Sequence, residues 1–215
     1  PYYIAEIYLI KKNYDKAEIV AQNYLSAYPN NEYTAEMYRV LGDADYHFGK
    51  YHEAMGAFEK YLANNKEEAP RRDALYMLGL SYYHSGVYTK AANTLGEVAT
   101  GNDALSQNAY LHMGLSYLQM GDKNKARMAF EQASASNANM QIKEQAAYNY
   151  ALCIHETSYS AFGESVTVFE KFLNEFPNSQ YVDKVSSYLV EVYMNTRSYE
   201  AVSYTHLRAH ETRGN

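Results

Sequence analysis

Two stretches of this chain are near copies of each other: Leu78-Gly79-Leu80-Ser81-Tyr82 and Met113-Gly114-Leu115-Ser116-Tyr117. In each, the glycine is followed seven residues later by another, giving Gly79/Gly86 and Gly114/Gly121, and the same pair occurs earlier as Gly42/Gly49 behind Leu41. Twelve residues past the first glycine of each pair stands an alanine (Ala54, Ala91, Ala126), and four further on Phe58, Leu95 or Phe130. The frame extends back to Ala5 and Ala17, with Pro29 closing that unit. It extends forward to Ala151, Ser165, Phe169, Phe172 and Pro177, with two extra residues in the turn between Thr157 and Gly163, and then to a sixth unit that begins near Tyr181. Successive anchors Ala5, Gly42, Gly79, Gly114, Ala151 and Leu189 lie 37, 37, 35, 37 and 38 residues apart. A period of this length, kept through most of the chain, is the signature of a repeat architecture.

The spacing inside one unit predicts two helices. Leu75, Leu78, Gly79 and Tyr82 recur at three- and four-residue steps and so share one face of a first helix. Gly86 predicts a left-handed residue that ends it. Thr89, Asp15 and Asn124 are the candidate caps of the second helices in their units, and Glu18 makes a capping-box-like pair with Asp15. Ala91, Leu95 and Val98 form the second helix's inner stripe. Glycine within a helix costs about 1 kcal/mol against alanine, so the anchor glycines need a packing reason, and close approach of two antiparallel helices supplies one. Small residues recur two places past the anchors, at Ala44, Ser81, Ser116 and Cys153. Each hairpin leaves apolar surface that only the next can cover, so the expected fold class is all-α, with αα-hairpins stacked into a superhelix.

The pattern resembles the tetratricopeptide repeat, in which Leu-Gly is followed by Tyr, then Ala, an aromatic, Ala and a closing Pro. Leu78-Gly79, Tyr82, Ala91 and Leu95 match it, as do Met113-Gly114, Tyr117, Ala126, Phe130 and Ala133. The departures are a period near 37 and not ~34, a Tyr where the first helix prefers Trp, and the closing Pro only at Pro29 and Pro177. The resemblance covers residues 1–202, with units at about 1–33, 34–70, 71–105, 106–140 and 141–179 and a partial one at 180–202. It implies a right-handed superhelix that binds a protein or peptide on its concave face. Phe176-Pro177-Asn178-Ser179 is similar to bacterial relatives in envelope assembly and cell division, which favours a periplasmic or outer-membrane-associated place. After Val202 the repeat pattern stops. Residues 203–215 read as a segment foreign to the array, of the kind a translated cloning sequence leaves.

Other chemistry is thin. The chain has 215 residues, 47% of them hydrophobic, a formal net charge of −6, and no Lys/Arg cluster, which argues against nucleic acid and anionic membrane surfaces as partners. No apolar run is long enough for a membrane span. The lone cysteine, Cys153, excludes an internal disulfide and reads as a small core residue. His206 and His210 are four apart, but they fall in the foreign segment. His47 and His84 sit at matching places with no carboxylate in register, so both read as surface histidines. No catalytic cluster, phosphate loop, metal site or cofactor is expected; the chain reads as a scaffold and not an enzyme. The alternative is a ligand-sensing or regulatory arm of a larger signalling protein.

The resemblance also implies where a partner would lie. Three residues before and four after each anchor fall on the groove side of the first helix: Arg39 and Tyr46, Tyr76 and Tyr83, Leu111 and Leu118, then Tyr148 and His155. A groove of this composition favours an apolar or extended peptide over a strongly acidic one. The family's clamp for chaperone C-terminal carboxylates is not expected, because Glu6, Asp43, Leu80, Leu115 and Leu152 stand where it needs Asn.

Overall fold

The computed structural model describes residues 2–158 and 163–211, with side chains as far as residue 197. The described residues form helices and no strand. A first compact unit, residues 1–122, holds α1 (Tyr2–Ile10), α2 (Tyr14–Ala27), α3 (Thr34–His47), α4 (Tyr51–Asn64), α5 (Glu68–His84), α6 (Tyr88–Val98) and α7 (Ala104–Gln119). A second, residues 123–215, holds α8 (Lys123–Ala135), α9 (Met140–Thr157), α10 (Gly163–Glu175) and α11 (Val182–Glu211). Within each unit every helix packs on the next in sequence, and in the first unit α1, α3, α5 and α7 also touch in turn. That is a stack of antiparallel hairpins.

The anchor glycines sit where the paired helices come closest. A Cβ on Gly79 would lie 2.6 Å from Cγ of Leu95, and one on Gly42 would lie 2.9 Å from the Phe58 ring. Leu95 and Phe58 are fully buried. Each buries a side chain worth about 1.5–3 kcal/mol of transfer free energy, in a space that only a missing methyl group leaves open. The small residues two places on, Ala44, Ser81, Ser116 and Cys153, are all buried as well. The core is a series of clusters, each shared by neighbouring hairpins: one around Met37 and Val40, the next around Phe58 and Tyr61, the next around Leu95 and Val98, and in the second unit one around Phe169 and Phe172.

The turns that follow α3, α5 and α7 repeat one geometry. Gly49, Gly86 and Gly121 have φ of 72°, 76° and 77°. The amide after each glycine donates to a carbonyl five residues back, Lys50 to Asp45, Val87 to Tyr82 and Asp122 to Tyr117. These bonds satisfy carbonyls that the helix end leaves open. In the first hairpin the same place is held by Lys12, with φ of 55°. The residue after the left-handed one is also the N-cap of the next helix: Asn13, Lys50 and Val87.

That double use corrects the expected caps. Asn13, not Asp15, accepts from the Lys16 amide, at 3.4 Å, and Asp15 lies within the first turn of α2. Val87 precedes α6 with no side-chain cap, while the Thr89 hydroxyl reaches Met120 Sδ at 3.2 Å. Asn124 lies inside α8. In the sixth unit Thr196 stands at the turn position. Its hydroxyl donates to the Val192 carbonyl, and α11 continues without a turn to Glu211. The expanded turn after Thr157 falls mostly on residues 159–162, outside the described residues, as do the side chains of residues 203–215.

Candidate functional site

In the first unit a row of rings runs from one hairpin to the next. Tyr14, which opens α2, stacks on His47 near the end of α3, with centroids 4.0 Å apart. One repeat on, Tyr51 opens α4 and stacks on His84 of α5 at 4.6 Å. Tyr46 packs edge-on against Tyr51 and His84, and Tyr83 does the same against His84, Tyr88 and His112 of α7. His84 and His112 are 6.5 Å apart. The row therefore joins α2 through α7, and His47 and His84 keep one edge exposed while Tyr46 and Tyr83 are half-buried.

Burial shapes its chemistry. It pushes the Tyr46 hydroxyl up to about 12 and raises Tyr83, so both phenols stay neutral donors at any physiological pH. It also lowers His84 and, despite the bond between His112 Nδ1 and the Asn108 carbonyl (3.0 Å), His112. Neutral imidazoles and phenols make this a weakly polar surface.

The charged part of the same helices is self-contained. Arg39 contacts Glu6 of α1, Glu36 at 3.0 Å and Asp43 at 3.3 Å. Burial alone would lower the guanidinium, but these three carboxylates more than offset it and raise Arg39 above its ordinary value. Burial pushes Asp43 up to about 6 in spite of Arg39. The cation is consumed internally.

The structure places the other expected site residues as follows. Tyr76 is half-buried and its hydroxyl contacts the Asn108 amide. Leu111 is only 3% exposed and packs inside, whereas Leu118, about two turns on, is half-buried. In the second unit Tyr148 stacks on Tyr181 at 4.0 Å, and His155 Nδ1 lies 3.0 Å from Ser165 Oγ beside Phe169 and Tyr188. Tyr46 and Tyr83 thus come together through His84, Arg39 is tied up in ion pairs, and Tyr148 and His155 belong to a separate cluster. The tyrosines that complete the row, Tyr14, Tyr51 and Tyr88, were readable in the sequence as a 37-residue recurrence in step with His47 and His84. In the second unit the same register holds an ion pair in place of a stack: Lys123, which opens α8, lies 2.9 Å from Glu156 of α9.

Among the described residues no group of three His, Cys, Asp or Glu side chains is placed to hold a metal, and no helix is long and apolar enough to cross a membrane. Residues 49–133 match the profile of the family described as anaphase-promoting complex, cyclosome, subunit 3. No curated protein matches the chain. Among solved structures, YrrB, described as a TPR protein with an unusual peptide-binding site, aligns with a TM-score of 0.68 at 18% identity over 85% of this chain and 88% of its own.

The fold is a tetratricopeptide-repeat solenoid. MamA has the same fold, with a TM-score of 0.65 at 23% identity, covering 80% of this chain and 93% of its own. So has a tetratricopeptide repeat protein from Parabacteroides merdae ATCC 43184, at 0.63 and 18% identity over 94% of this chain and 76% of its own.

Proposed function

We propose that this chain is a non-catalytic scaffold that binds a peptide or protein segment on the face lined by α3, α5 and α7, and that the Tyr46–His84–Tyr83–His112 row is the contact surface. One observation carries this reading: the rings are contiguous across three repeats, and those of Tyr46, His84 and Tyr83 remain partly open to solvent. Tyrosine offers a large contact area with few rotatable bonds, which is why it recurs among the residues that dominate interfaces. With Arg39 already held by three carboxylates, the face suits a partner with apolar or aromatic side chains better than a strongly acidic one. The peptide-binding site in the description of YrrB supports the reading by analogy.

Peptides selected from a random displayed library should be rich in apolar and aromatic residues. They should bind Tyr46→Ala and Tyr83→Ala at least about tenfold more weakly than the parent, the loss of an interface anchor being worth roughly 1–2 kcal/mol or more. Melting each variant separates binding from packing. Unchanged affinity with a lowered melting point makes the row structural and ends the proposal.

A further inference from the structure

At the start of the array lies a second aromatic feature that does not belong to the ring row. Tyr2 and Tyr3 of α1, Tyr24 and Tyr28 at the end of α2, and Tyr33 line a cavity of about 280 Å³ with the Glu32 carboxylate at its rim. Tyr2 stacks on Tyr33 with centroids 5.1 Å apart and meets Tyr3 at 5.3 Å, while the Tyr24 and Tyr28 rings meet at a tilt of 46°, 5.1 Å apart. The opposite wall is fixed in advance. The Tyr24 hydroxyl donates to Asn31 Oδ1 at 2.5 Å, the Tyr33 amide donates to the same oxygen at 3.2 Å, and the Thr34 hydroxyl donates to the Tyr28 carbonyl at 2.9 Å. Because the walls are already ordered, little entropy is lost on filling the space.

Two features favour a cation in the cavity. Five tyrosines line it, and the face of an aromatic ring is the negative side of its quadrupole. Glu32 adds a full charge, and no Lys or Arg lines the site. The Tyr33 hydroxyl registers this field: Glu32 first, then Tyr3 and burial, raise it above its ordinary value.

The two later repeats of this unit show what such a place otherwise holds. At the end of α4, the Arg71 guanidinium donates to the Leu62 carbonyl at 3.0 Å and the Asn65 carbonyl at 3.2 Å. At the end of α6, the Arg72 guanidinium donates to the Val98 carbonyl at 2.9 Å and pairs with Asp103 at 2.7 Å. Both helix ends are closed by a cation from the chain itself. At the end of α2 there is a tyrosine-walled cavity and a carboxylate instead.

We propose that this cavity is a binding site for an organic ammonium group, held over the faces of Tyr2, Tyr24 and Tyr33 and neutralised by Glu32. The ammonium can be carried by a lysine side chain of a partner protein or by a small quaternary amine, since the chemistry of recognition is the same.

Calorimetric titration of the protein with choline, with its uncharged isostere 3,3-dimethylbutan-1-ol, and with Nα-acetyl-lysine methylamide tests this. Choline or the lysine amide should bind at least about tenfold more tightly than the neutral alcohol, the size expected of cation–π contacts in a partly dry site. Glu32→Gln, at an exposed position that leaves the shape intact, should weaken binding about three- to tenfold, and Tyr33→Ala should abolish it. Preference for the lysine amide identifies a protein partner, and preference for choline a free amine. Equal binding of choline and the alcohol, binding unaffected by Glu32→Gln and Tyr33→Ala, or no binding of either cation overturns the proposal. The melting point of each variant, measured alongside, shows that the loss of binding is not a loss of fold.

Discussion

Gly79 and Gly42 hold the same place in the repeat, yet they are not equally tight. The Leu95 atoms facing Gly79 are Cγ and Cδ2, both 2.6 Å from where a Cβ would stand, and Leu95 is walled in on every side. The Phe58 ring edge facing Gly42 lies at 2.9–3.0 Å, so the equally buried ring must also shift, but by less. Alanine in either place gains about 1 kcal/mol of helix propensity, while overpacking costs typically 1–3 kcal/mol. Overpacking therefore wins clearly at residue 79 and narrowly, if at all, at 42. Gly79→Ala should lower the melting point and Gly42→Ala should change it much less, as circular dichroism would record. Equal melting of Gly79→Ala and parent would mean that α5 and α6 do not meet at this point.

At the scale of the element, the left-handed residue after the first helix decides whether a hairpin forms. Lys12 adopts this conformation at φ 55°, which costs an ordinary residue roughly 1–2 kcal/mol. Glycine would remove that cost at an unfolded-state penalty of about 0.5–1 kcal/mol. Lys12→Gly should therefore stabilise the array by about 0.5 kcal/mol or more, seen as a shift of the denaturant midpoint without change of slope. A lower midpoint would show that the Lys12 side chain contributes more than its backbone costs. The same rule explains what could be read beforehand. The hairpins, their turns and the glycine–Leu95 and glycine–Phe58 contacts all follow from a local period, and the period is written in the residues. The caps were misplaced by two residues, because the turn's last residue doubles as the next N-cap and no side-chain signal marks Lys50 or Val87 for that role. The burial of Leu111 and the capture of Arg39 by Glu6, 33 residues away, were not legible, since both depend on how neighbouring first helices are rotated.

Across the molecule, titratable groups that the fold partly desolvates set how stability depends on pH, and they work in opposite directions. His84 and His112 are lowered from 6.5, so below about pH 6.5 the unfolded chain binds protons that the folded one refuses, and stability falls with pH. Asp43 and Asp45 are raised by burial from 3.8 to about 6, so between about pH 6 and 4 the folded chain binds the extra protons and stability rises as pH falls. The His84→Gln, His112→Asn double variant removes only the first effect. It should lose less stability than the parent between pH 7.5 and 5.5 in parallel denaturant titrations. Identical slopes would show that neither imidazole is kept neutral by the fold.

The stacking of each hairpin on its neighbours alone has a kinetic side. Each packed pair of helices, from α1 with α3 to α10 with α11, spans at most one repeat and a half of sequence. No step of assembly has to close a long loop, so the entropic barrier at each step is that of adding one hairpin to an existing edge. Folding can begin at whichever repeat closes first and spread in both directions, and lengthening such an array adds steps without raising the highest barrier.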